Sequence, residues 1–145
     1  MFFKASLLYL RQFVKNLNLF YDPVSRNNRL SFWEEAEKEM FEDYREEGGD
    51  GYDAEPLSIN TIIEAKRFYS LLSPDFPAPD ITPEPNGDIS FEWYRNTKYI
   101  FNVSVSDNKF LAYAGIYGRR SKVHGIEFFG EQLPKVLVDN IQKFL

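Results

Sequence analysis

Apolar residues recur at spacings of three and four in the first half of the chain and at a spacing of two in the second. Phe3, Leu7, Leu10, Val14 and Leu17 make one stripe, widened by Phe13 and Phe20. This spacing predicts a core-facing helix over residues 3–20. Ser31-Phe32-Trp33-Glu34 fits a capping box, in which the Ser31 hydroxyl accepts from the Glu34 amide and the Glu34 carboxylate reaches back. The helix it opens has Trp33, Ala36, Met40 and Tyr44 on its apolar face and ends at Gly48-Gly49. Ser58 caps a third helix with Ile59, Ile62, Ala65, Tyr69 and Leu72 facing inward, and Ser73-Pro74 stops it. Five prolines between 74 and 85 predict an extended crossover over residues 74–87.

From residue 88 the period becomes two. Ile89, Phe91 and Trp93 alternate with Ser90, Glu92 and Tyr94. Tyr99, Phe101, Val103 and Val105 repeat the pattern, and Phe110, Ala112, Ala114 and Ile116 continue it. Asp107-Asn108 suits a two-residue hairpin turn, which pairs Val105 with Phe110 and Val103 with Ala112. An odd loop at Arg95-Asn96-Thr97 pairs Trp93 with Tyr99 and Phe91 with Phe101. These registers put Phe91, Phe101 and Ala114 on one face. Leu133, Val136, Leu137, Ile141 and Phe144, opened by Pro134, predict a C-terminal helix lying over the small Ala112 and Ala114. The expected fold is therefore α+β: N-terminal helices, an antiparallel meander of three to four strands, and an amphipathic C-terminal helix. A chain of 145 residues suits one domain, with residues 1–73 mainly helical and 88–145 holding the meander and last helix.

Composition narrows the function. Aromatics at 17% argue against disorder, and the lack of cysteine excludes disulfides and thiolate chemistry. The apolar start is broken by Arg11 and Lys15, and neither a leader nor a membrane span is expected, so the cytoplasm is the predicted compartment. The net charge of -5 is unevenly placed. Residues 1–33 carry five basic and one acidic side chain, residues 34–55 two and eleven, and residues 56–145 ten of each. So acidic a block argues against direct nucleic-acid binding; it is read either as a solvated helix face or as suiting a basic protein partner, contacted through Glu39, Glu42, Asp43 and Glu46.

Candidate chemistry is sparse. His124, the only histidine, and Glu127 are weak catalytic candidates, since on a strand they face opposite sides; a hydrogen-bonded structural histidine is the favoured reading. Arg119, Arg120 and Lys122 form a basic loop able to grip an anion, or a polar turn that keeps a sheet edge soluble. Asp50, Asp53 and Glu55 cluster beside Gly51, but their spacing matches no calcium loop and fits turn chemistry. No metal site and no cofactor are expected. The face opposite the apolar rows carries Glu92, Tyr94, Asn102, Tyr113 and Tyr117; it is either a recognition surface, which its tyrosines Tyr94, Tyr113 and Tyr117 suit, or a second buried face covered by the N-terminal helices.

Several of these stretches together look like a known pattern. Gly49-Asp50-Gly51-Tyr52-Asp53-Ala54-Glu55-Pro56, Ile62 to Phe68, Pro79-Asp80-Ile81, Gly87-Asp88-Ile89-Ser90-Phe91-Glu92-Trp93, Tyr113-Ala114-Gly115 and His124-Gly125-Ile126-Glu127 resemble a widespread family of small uncharacterised bacterial proteins. That family shows a Trp-Asp-Gly-Tyr-Gly-Ala-x-Pro signature, a proline-rich stretch and a Gly-Asp-Ile/Leu-x-Phe/Leu-Glu-Trp strand. The resemblance covers roughly residues 48–145. Here Gly49 stands where Trp is usual and Asp53 where Gly is usual. The resemblance implies a bacterial, cytoplasmic accessory protein, antitoxin-like or associated with phage defence, and assigns no catalytic residues. Two functions are thus expected in order: a non-enzymatic protein-binding or regulatory protein, then a small hydrolase or nucleic-acid-processing accessory enzyme using His124 and the Arg119–Lys122 loop.

Overall fold

The computed structural model describes Trp33, Lys38 and residues 57–145. The expected helix over 3–20, most of the one opened at Ser31, and the Asp50–Glu55 loop lie outside the described residues. Within them the order is α1 (Ile59–Leu71), β1 (Asp80–Pro83), β2 (Ile89–Asn96), β3 (Tyr99–Val105), β4 (Phe110–Tyr117), β5 (Ser121–Phe128) and α2 (Lys135–Ile141), followed by a 3-10 turn over Gln142–Phe144. The class is α+β, but the sheet has five strands rather than three to four. They run β1-β2-β3-β4-β5, each antiparallel to the next.

Ser58 caps α1 as its sequence predicts, accepting from the Thr61 amide at 3.0 Å. Ile62, Ala65, Phe68 and Tyr69 are buried, but Ile59 is 63% exposed. Position 59 is the first helical residue and lies off the stripe that Ile62, Ala65 and Tyr69 define. Part of the proline-rich stretch is itself a strand. β1 pairs Ile81 with Phe91 and Pro83 with Ile89. Proline is accommodated there because β1 is an edge strand among the five described.

Pairing fixes the face of each strand. Phe91 lies opposite Val103, Val103 opposite Tyr113, and Trp93 opposite Phe101. The β2–β3 loop keeps the expected parity, with the register displaced by two residues and a bulge between Tyr94 and Asn96. The β3–β4 hairpin does not keep it. Val105 pairs with Leu111, not Phe110, so an odd number of residues separates them. Lys109 takes the left-handed conformation at φ 63, and the Asn108 side chain accepts from the Phe110 amide at 3.0 Å. That one-residue difference turns β4 over. Leu111, Tyr113, Gly115 and Tyr117 face the core, whereas Phe110, Ala112, Ala114 and Ile116 face away.

The core lies between one sheet face and the helices. Phe91 meets Phe68 at 4.7 Å between ring centroids, Tyr69 at 6.5 Å and Trp33 at 6.2 Å. Burying each such ring stabilises by about 1.5–3 kcal/mol. Thus α1, not the C-terminal helix, covers Phe91, and Ala114 is not beside it. α2 and its 3-10 turn instead close the far end of the sheet. Tyr117 donates to Asn140 Oδ1 at 2.7 Å, and Asn140 donates to the Val136 carbonyl at 2.7 Å. Burial first, and the neighbouring Tyr99 second, push the Tyr117 phenol above its ordinary value, which keeps it a donor. Arg95 and Tyr99 both donate to the Lys143 carbonyl, at 3.1 and 3.3 Å.

Both sheet glycines facing the core oppose an aromatic ring. Gly115 pairs with Phe101, and Gly125 with Tyr113. A Cβ at Gly125 would stand 2.6 Å from the Tyr113 hydroxyl, and one at Gly115 would stand 3.0 Å from Phe101 Cδ1. The missing side chains are what let these rings lie across the neighbouring strand.

Candidate functional site: the open face of the sheet

The face turned away from α1 and α2 is graded. At its β1–β2 end Thr82 and Ser90 are buried, and Asn102 on β3 donates to the Ser90 hydroxyl. Towards β4 and β5 it opens. There Ile126 is 69% exposed, Phe128 62%, Phe110 48% and Ile116 37%. The register gathers three of them, since Phe110 pairs with Phe128 and Ala112 with Ile126, whereas Ile116 pairs with Lys122 further along β4. Phe110 and Phe128 meet edge-to-face at 6.0 Å. Among the described residues these rings prop each other on the surface. Beside them is a shallow depression of about 370 Å³, lined by Asp88, Ser104, Ser106, Asn108, Phe110, Ala112 and Ile126. Partial burial raises the Asp88 carboxyl above the ordinary range. A hydrogen bond from Asn86 opposes that rise, and the charge of Asp107 adds to it.

The predicted site residues fall in several places. Tyr94 is exposed on the open face. Tyr113 and Tyr117 are not beside it: the inverted β4 turns both into the core side, where they are half-buried. A shared surface of three tyrosines is therefore excluded. Glu39, Glu42, Asp43 and Glu46 lie outside the described residues. Arg119 and Arg120 are exposed in the β4–β5 turn, with Gly118 at φ 79, whereas Lys122 belongs to β5 rather than to the loop.

His124 and Glu127 face opposite sides of β5, so they cannot serve one reaction centre. His124 is exposed on the open face and its side chain makes no hydrogen bond among the described residues, so the reading of it as a hydrogen-bonded structural residue does not hold. It shares a cross-strand row with Glu92, Asn102 and Ala114. Three strand spacings, roughly 14 Å, separate it from Glu92, too far for the two to work as an acid–base pair. Among the described residues no three His, Asp or Glu side chains group as metal ligands. No helix among them is long and apolar enough to cross a membrane.

Sequence reasoning missed Phe110, Ile116, Ile126 and Phe128. The usual assumption that the more apolar row of a strand faces the core hides them. In β5 the row Lys122, His124, Ile126, Phe128 is the outward one, while Gly125 and Glu127 face the core side. Gly125 was the available signal, because a strand glycine marks a close approach by another group. No family model, curated protein or solved structure matches the chain.

Proposed function

We propose that this chain is a protein-binding or regulatory protein that takes its partner on the β4–β5 half of the open sheet face. The observation that carries this is the exposed cluster of Phe110, Ile126 and Phe128, set side by side by strand register, with Ile116 exposed further along β4. Large exposed apolar groups rimmed by polar ones mark surfaces that another protein covers. The rim here is Asp88, Ser104, Asn108, Lys122 and His124. The acidic run with Glu39, Glu42, Asp43 and Glu46 suits a basic partner, steering its approach while the apolar cluster supplies the desolvated area. A bacterial accessory role, antitoxin-like or associated with phage defence, fits the same reading and rests on the resemblance of residues 48–145.

The test is to purify the protein from its native host, wild type beside Phe110→Ser/Ile116→Ser. Both substitutions replace exposed groups on β4, and thermal melting checks that the variant keeps the fold. A stoichiometric basic protein should accompany the wild type and be lost from the variant. Its association should slow with added salt, and again when Glu39, Glu42, Asp43 and Glu46 become Gln or Asn. Retention by the double variant, or recovery of a bound nucleotide or metal in place of a protein, refutes the reading.

A further inference from the structure

The two edges of the sheet are built differently. β1 has four residues, contains Pro83 and follows Pro79. Short, proline-bearing strands resist further pairing. β5 has eight residues, no proline and, among the described residues, one strand neighbour. Its free side can be assigned. The Phe129 amide donates to the Lys109 carbonyl at 2.8 Å, continuing the β4–β5 register. Alternation then directs the ladder groups of Ser121, Val123, Gly125 and Glu127 to β4. The N–H and C=O groups of Lys122, His124, Ile126 and Phe128 point outward.

The ends of this strand also carry opposite charge. Arg119, Arg120 and Lys122 stand at its start, and Glu127 and Glu131 at or just past its end. The ion pairs of the described residues, Arg67–Glu64 and Lys135–Asp139, use none of them. An antiparallel two-fold sets the basic end of one strand against the acidic end of another.

We propose that β5 pairs with β5 of a second copy, antiparallel about a two-fold axis at Gly125, making a ten-stranded sheet. A two-fold perpendicular to the sheet keeps each residue on its own face, so opposed residues have the same parity. Two registers centre on the strand; the one at Gly125 pairs all of Lys122–Phe128 and leaves no charged residue opposite one of like sign. It sets Lys122 against Phe128 of the second copy, His124 against Ile126, and Val123 against Glu127. Arg119 comes level with Glu131. The alternative, centred on His124, opposes two histidines. The lysine stems cover the exposed Phe128 rings, as long basic side chains do. The dimer uses the edge of β5 and the proposed partner its face, so the two share Ile126 and Phe128. The tests stay separate, because the partner test varies β4 and the dimer test varies the charged ends and the outward N–H of β5.

The experiment is sedimentation velocity on the full chain over a concentration series, with thermal melting to confirm folding. Wild type should reach twice the 17.1 kDa of one chain. Arg119→Glu/Arg120→Glu and Glu127→Lys/Glu131→Lys should each sediment as monomers, and an equimolar mixture should restore a dimer of one copy of each. Ile126→Pro, which removes an outward N–H from an exposed position, should also be monomeric. A wild type that stays monomeric throughout overturns the proposal. So does a dimer that survives both charge reversal and Ile126→Pro, or a mixture that fails to recover.

Discussion

Replacing Gly125 by alanine offers a direct test of how the aromatic rings fill the sheet. The φ of Gly125 lies outside the left-handed region, so the backbone accepts alanine. The added Cβ would lie 2.6 Å from the Tyr113 hydroxyl, 2.8 Å from Cζ and 3.0 Å from Cε1. Comfortable carbon contacts begin near 3.5 Å, so the ring must retreat by roughly 1 Å. It cannot do so freely, because its other neighbour is the fully buried Phe101, 6.1 Å away between centroids. Overpacking of this kind costs about 1–3 kcal/mol, while removing a strand glycine returns about 0.5–1 kcal/mol. The net expectation for Gly125→Ala is a loss of about 1–2 kcal/mol in urea unfolding with an unchanged m-value. In a Tyr113→Ala background the obstacle is gone, and the same substitution should stabilise by about 0.5–1 kcal/mol. The reversal of sign is the fingerprint. Equal destabilisation in both backgrounds would refute the argument, since the ring would not then be what opposes the methyl group.

Three further outcomes follow from the same geometry. Tyr117→Phe removes the hydrogen bond to Asn140 but leaves Lys143 Nζ 3.4 Å from that oxygen, so urea unfolding should show a loss of about 0.5–1.5 kcal/mol. Asp88 has a raised carboxyl pKa in the folded protein; folding therefore favours its protonated form, and its contribution is present at acid pH and lost as pH rises through the raised value. Asp88→Asn should accordingly be more stable than wild type at neutral pH, with the difference vanishing below the ordinary Asp range, as followed by thermal melting against pH. Ala114→Phe adds a ring on the open face beside His124 rather than in the core, and should change unfolding free energy by less than about 0.5 kcal/mol.

The sequence was most legible where one residue type has one use. Ser58 could be read as a cap because its hydroxyl has little else to do three residues before Thr61. Ile89, Phe91 and Trp93 were readable because the residues between them are polar or amphipathic. β4 was not, because Phe-Leu-Ala-Tyr-Ala-Gly-Ile-Tyr is apolar in both rows. What decided its face was the space available: Phe101 needs a neighbour with no side chain, and Gly115 is the residue that supplies it. The turn misled for a related reason. Asn108 suits a left-handed turn position, yet here its side chain holds the loop and Lys109 takes positive φ. β1 escaped notice because proline suggests a connection, and an edge strand tolerates proline. The apolar cluster on the open face was hidden by the same inversion, since it is the outward row of β4 and β5.

The sheet adds its strands strictly in the order in which the chain presents them. Each hairpin joins sequence neighbours across a short loop, so little loop-closure entropy opposes any single step. Such local pairing favours rapid folding. During synthesis, each new strand of the meander emerges beside one already able to receive it. Among the described residues, contacts far apart along the chain come with the docking of Trp33, α1 and α2, as when Trp33 stacks on Phe91 and Arg67 reaches the carbonyls of Phe129 and Gly130. The rate of folding should therefore respond weakly to changes in the hairpin loops and more strongly to changes at the contact between α1 and the segment after β5.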